Sequence, residues 1–87
     1  MSVYMVERNL KGISIDDLAA AQKAAIAKAN EMSSSGTNIR YIRSTFAPND
    51  GRCMCLFEAS DEAAVQRLND EAKLPYDNIT EALDLTP

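Results

Sequence analysis

Between residues 39 and 59 two runs of alternating character, IRYIRSTF and RCMCLFEA, flank the tetrapeptide PNDG. Proline followed by Asn, Asp and Gly is turn chemistry, and β-branched or aromatic residues at every second position are strand chemistry, so the segment is predicted to be a β-hairpin. A four-residue loop sets the expected register, pairing Phe46 with Cys53, Ser44 with Cys55 and Ile42 with Phe57. Side chains alternate between the two faces of a strand, and an unpaired charge is expensive to bury. On the second run the uncharged set is Cys53, Cys55, Phe57 and Ala59, against Arg52, Met54, Leu56 and Glu58. On the first run Ile42, Ser44 and Phe46 oppose Tyr41, Arg43 and Thr45. Both cysteines are therefore expected to face whatever covers the sheet.

The rest of the chain supplies the cover. Residues 3–8, VYMVER, alternate and run into a loop at Gly12, which describes a first strand. Ser14 is positioned to cap a helix with Asp16 and Asp17 in its first turn, and Ile15, Leu18, Ala19, Gln22, Ile26 and Ala29 recur at helical spacing. That helix is expected to end near Met32, before SSSGTN. Ser60 is the expected cap of a second helix, with Asp61 and Glu62 in its first turn, a stripe of Ala64, Val65, Leu68 and Ala72, and Pro75 beyond its end. NITEALDL reads as a short last strand. The order β-α-β-β-α-β defines an α+β ferredoxin-like fold, with two helices on one face of a four-stranded antiparallel sheet. With 87 residues, a single domain over 1–87 is expected.

Composition narrows the function. A net charge of −4 argues against a phosphate backbone as partner, so no nucleic acid is expected. No apolar run approaches a membrane span, and Glu7 and Arg8 interrupt the segment where a signal peptide needs its apolar region, so a cytoplasmic protein without membrane contact is expected. Two cysteines there imply free thiols, preferably read as core, because the C-x-x-C spacing of zinc and redox sites is absent and the chain has no histidine. Nor does the first loop, NLKGIS, carry the C-x-x-C of a copper chaperone.

The face opposite the cysteines offers the sharper constellation. If Met5 and Glu7 share it with Tyr41, Arg43, Thr45, Met54, Leu56 and Glu58, it is an apolar floor carrying two carboxylates and a guanidinium. Such a floor calls for a cover, and a second sheet packed face to face in a homodimer would provide one. Glu7, Tyr41, Arg43 and Glu58 are the candidate ligand-binding residues in that cleft, for a small molecule or a transition metal. A plain ion-pair cluster is the structural alternative. No catalytic residue and no metal-ligand set is assigned from the sequence. The competing reading is a small dimeric α/β-barrel enzyme, monooxygenase- or isomerase-like, using a cleft carboxylate as acid or base.

VYMVERNLKGIS, RYIRSTFAPNDGRCMCLFEA and LPYDNITEA together resemble a family of small bacterial proteins classed as a domain of unknown function, some members of which are described as nickel-binding. The resemblance spans Val3 to Leu85 and is most specific at Val6-Glu7-Arg8, at Arg40-Tyr41 to Ser44, at Cys55 with Glu58-Ala59, and at Leu74-Pro75. It implies a ferredoxin-like fold, commonly paired with sheets face to face, and nickel as a candidate ligand. Many relatives have a histidine in the second helix, in a Glu-His-Ala triplet, where this chain has Leu68 within RLN. Without imidazole, a tight nickel site is not expected here.

Overall fold

The computed structural model describes residues 1–87. The elements are β1 (Ser2–Asn9), α1 (Ile15–Ser34), β2 (Ile39–Ala47), β3 (Arg52–Ala59), α2 (Glu62–Glu71) and β4 (Asn78–Ala82). The strands form one antiparallel sheet in the order β2-β3-β1-β4, and both helices pack on the same face. This is the expected ferredoxin-like β-α-β-β-α-β arrangement.

The hairpin loop is Pro48 to Gly51, closed by the Gly51 amide donating to the Ala47 carbonyl at 2.8 Å. Gly51 has φ +77°, and a Cβ there would overlap the Lys11 backbone, so glycine is required twice over. Leu10 donates its amide to the Gly51 carbonyl at 2.7 Å, which clamps the β1–α1 loop onto the hairpin tip.

The register confirms the pairs Phe46–Cys53 and Ser44–Cys55 and corrects the third. Tyr41, not Ile42, lies opposite Phe57, because a β-bulge between Tyr41 and Arg43 inserts one residue into β2. A bulge shifts alternation by one, so residues before it change face. Ile39 and Tyr41 thereby join the helix side, where Tyr41 meets the Phe57 ring edge-on with centroids 5.6 Å apart.

Helix α1 begins as expected, with Ser14 Oγ accepting the Asp17 amide at 3.1 Å. Its inward stripe is rotated from the expected one. Ala25, Ala29 and Met32 are buried and Leu18 half-buried, whereas Ile15 is 73% exposed and Ile26 points outward as well. The run 18, 21, 25, 29 and 32 follows the helical period more closely than the stripe through Ile15. Helix α2 is capped by Asp61, not Ser60: Asp61 Oδ1 accepts the Ala64 amide at 2.9 Å, while the Ser60 amide is engaged by the Asn38 carbonyl at 3.2 Å. Ala64, Val65 and Leu68 are buried beneath it as expected, and Asn69 is buried beside them.

The core lies between helices and sheet, around Tyr4, Val6, Phe57, Met32, Val65 and Leu68. No helix covers the other face. Its end is crossed by residues beyond β4, which reach from one sheet edge to the other so that Asp84 meets Arg43 on β2 at 3.1 Å. No helix is long and apolar enough to cross a membrane.

Candidate binding site

Where α1 passes over the hairpin, small side chains face one another. Ala21 and Ala25 on the helix oppose Ser44, Cys53 and Cys55 on the sheet, and the volume that larger residues would fill is left as a chamber of about 150 Å³. That volume is similar to an engineered apolar cavity that accepts a single aromatic ring. Its walls are mostly apolar, with Leu10, Leu18, Phe46 and Leu74 around the edge. Two polar features interrupt them.

The first is a directed hydrogen-bond chain. Gln22 Nε2 donates to the Tyr41 hydroxyl at 2.9 Å, the Tyr41 and Ser44 hydroxyls are 2.6 Å apart, and Ser44 Oγ donates to Cys55 Sγ at 2.9 Å. With both ends fixed, the middle bond runs from Tyr41 to Ser44, so every hydroxyl points toward the sulfur. Cys53 Sγ follows 3.9 Å further on. The two thiols are free and buried, as expected for residues of that face. Burial, reinforced by the neighbouring Cys55 and partly offset by Arg8, pushes the Cys53 thiol up to about 11.

The second feature is Arg8, at the end of the chamber beyond Cys53. It is 6% exposed, the one charged side chain among the buried residues. Nη1 donates to Asn69 Oδ1 at 2.8 Å and to the Pro75 carbonyl at 3.1 Å. Asn69 is itself fixed, donating Nδ2 to the Val65 carbonyl at 2.8 Å. These contacts are to neutral groups, and none of the ion pairs of the structure includes Arg8. A guanidinium in this setting is oriented without being neutralised, and buried charge of that kind is costly.

The four residues expected to line a cleft do not converge. Glu7 lies on the open face and accepts from Asn78 Nδ2 at 3.3 Å. Arg43 pairs with Asp84, and Glu58 with Arg40 at 3.4 Å. Tyr41 is on the opposite face altogether, carried there by the bulge. The expected Glu7–Arg43–Glu58 cluster is thus replaced by three separate contacts. The sequence alone gives Arg8, Gln22 and Ser44 no binding role. For Arg8 the signal was present, since it shares strand parity with Tyr4 and Val6, both buried.

A family model described as nickel responsive protein SCO4226-like matches residues 4–82, and the chain belongs to that family. The crystal structure of SCO4226 from Streptomyces coelicolor A3(2) is similar to it, with a TM-score of 0.81 at 26% sequence identity, covering 98% of this chain and 100% of that one. Comparison with curated proteins gives no match.

Proposed function

We propose that this protein is a non-catalytic binding protein that takes its ligand, a metal ion or a small anion, in the chamber between α1 and the hairpin. The observation that carries this reading is Arg8, a buried cation held in place by Asn69 and Pro75 yet lacking a counter-charge, beside two thiols on the wall of an unfilled space. A site with that composition is completed by something that brings negative charge or creates it on the thiols. Membership of a nickel-responsive family supports a metal, but nickel itself fits this chain poorly. There is no histidine, and no group of three His, Cys, Asp or Glu side chains lies close enough to hold an ion. Nickel(II) in protein sites takes several nitrogen, oxygen or sulfur donors.

Titration of isotope-labelled protein followed by amide chemical shifts tests the location. With nickel(II), silver(I) and short-chain carboxylates as probes, Ala21, Ala25, Ser44, Cys53 and Cys55 are expected to respond to at least one of them. A response confined to Glu7, Arg43 and Glu58 would return the site to the open face.

The same reading includes a homodimer through that open face. Val3, Met5, Met54 and Leu56 are only half-buried there, with no helix above them. Pairing two such faces would bury them as sheets packed face to face do. Light scattering is expected to give twice 9.5 kDa; a monomer at micromolar concentration would refute the pairing and leave the chamber untouched.

A further inference from the structure

We propose that Cys53 and Cys55 form a two-thiolate site for a soft monovalent ion, cuprous copper being the biological one, with Arg8 as the buried counter-charge. This specifies the ligand of the chamber and rests on the chamber being the binding site.

Donor number makes the first selection. The sulfurs are 3.9 Å apart on one face of β3, with chamber volume beside them. Two metal–sulfur bonds of about 2.3 Å span such a gap in a bent arrangement and reach about 4.6 Å when straight, so a small rotation about each Cα–Cβ bond covers the range. No third His, Cys, Asp or Glu is in reach. Zinc, which takes four ligands in structural sites, is left half-coordinated, and octahedral ions are worse served. Ions satisfied by two soft donors are the copper(I) type, for which thiolate is the favoured ligand.

Charge makes the second selection. Binding replaces two thiol protons by one ion: two R–SH and M⁺ give [RS–M–SR]⁻ and two H⁺, with no change of oxidation state. The complex has a charge of −1, and the Arg8 guanidinium at the Cys53 end cancels it. A divalent ion would form a neutral complex and leave Arg8 as isolated as before. The carboxylates nearest this end, Glu7 and Asp77, sit with Arg8 and Cys53 along a shallow surface groove, and neither is ion-paired with Arg8. Ser44 donating into Cys55 Sγ supplies the hydrogen bond that a metal-bound sulfur accepts.

The test is anaerobic competition of the full chain with the chromophoric copper(I) chelator bicinchoninate, alongside nickel(II) and zinc(II) titrations. One copper(I) per chain is expected to leave the chelator, with Cys53→Ser and Cys55→Ser each weakening binding at least about a hundredfold and Arg8→Met weakening it about tenfold or more, whereas Arg8→Lys keeps most of it. Circular dichroism checks that each variant is folded. X-ray absorption at the copper edge of the unmodified protein, which needs no variant, is expected to show two sulfur neighbours. Failure to withdraw copper from the chelator, or a copper environment of nitrogen and oxygen alone, would overturn the proposal. If nickel or a carboxylate perturbs the chamber while copper(I) does not bind, this inference falls and the chamber reading stands. If no probe reaches the chamber, both fall.

Discussion

The two faces of the sheet are made from the same four strands, yet they handle charge in opposite ways. On the open face Glu7, Arg40, Arg43 and Glu58 are near water, and each finds whichever partner is closest: Asn78, Asp84 or one another. Such contacts are adjustable and weak. On the covered face a single charge, Arg8, is held by two neutral acceptors and faces a space. Surface charge tolerates loose pairing because the solvent does most of the work, whereas a buried cation is kept only where something fixed requires it. The proposed site is on the face where charge is rare.

Neighbours in sequence on opposite faces of β3 are expected to differ most. Phe57 is fully buried against Tyr41, and Phe57→Ala is expected to destabilise by about 3–5 kcal/mol. Leu56→Ala, one residue away on the open face, is expected to lose about 1 kcal/mol in dilute protein, and more as concentration rises if the sheets pair. Urea unfolding at two protein concentrations separates the cases. Equal losses at both positions would mean that the faces are not distinct.

Next in size is Gly51→Ala. The added methyl would meet the Lys11 backbone, and φ would remain in the left-handed region, so a loss of at least about 2 kcal/mol is expected by the same measurement. Leu10, held by the Gly51 carbonyl, is part of the chamber wall, so the variant is also expected to bind chamber ligands more weakly.

The hairpin shows how far alternation can be trusted. Elements, their order and the faces of Cys53, Cys55 and Phe57 follow from period and turn chemistry, because each strand position is fixed by its neighbours. One inserted residue at Ile42 breaks that inheritance for everything before it in β2. No residue type marks the bulge, so alternation alone puts Tyr41 on the open face, whereas the structure puts it on the helix side. Arg8 fails for a different reason. Parity places it correctly, but the rule that charge avoids the core removes it from consideration, and the partners that make its burial tolerable, Asn69 and Pro75, are more than 60 residues away. The chamber itself depends on which small residues meet across layers, a tertiary fact that the rotated α1 stripe concealed.

Alkaline titration probes the covered face directly. The Cys53 thiol is raised to about 11 in the folded protein, above its ordinary value, so the unfolded chain releases this proton first. The stabilising contribution is complete below the ordinary thiol range and declines as pH rises through it toward about 11. Cys53→Ser is expected to flatten the stability curve in that window. An unchanged slope would mean that Cys53 is open to water.

A smaller effect is expected from Tyr41→Phe, which keeps the ring against Phe57 and removes the hydroxyl between Gln22 and Ser44. Loss of a net hydrogen bond amounts to about 1 kcal/mol. No loss at all would be the result for a tyrosine on the open side.

The smallest effect belongs to Arg43→Ala. Its pair with Asp84 is the one ionic contact between β2 and the chain beyond β4, and Arg43 is largely in solvent. Screening and side-chain entropy leave such a pair about 0–0.5 kcal/mol, so global unfolding is expected to move little and to move less in high salt. The informative readout is local. Without Arg43 the segment around Asp84 loses its anchor across the open face, and amide exchange from Leu83 to Leu85 is expected to quicken while that of β1 and β3 stays the same. If the pair instead accounts for 2 kcal/mol or more, the open face holds a buried ionic contact of its own, and the contrast between the two faces would have to be redrawn.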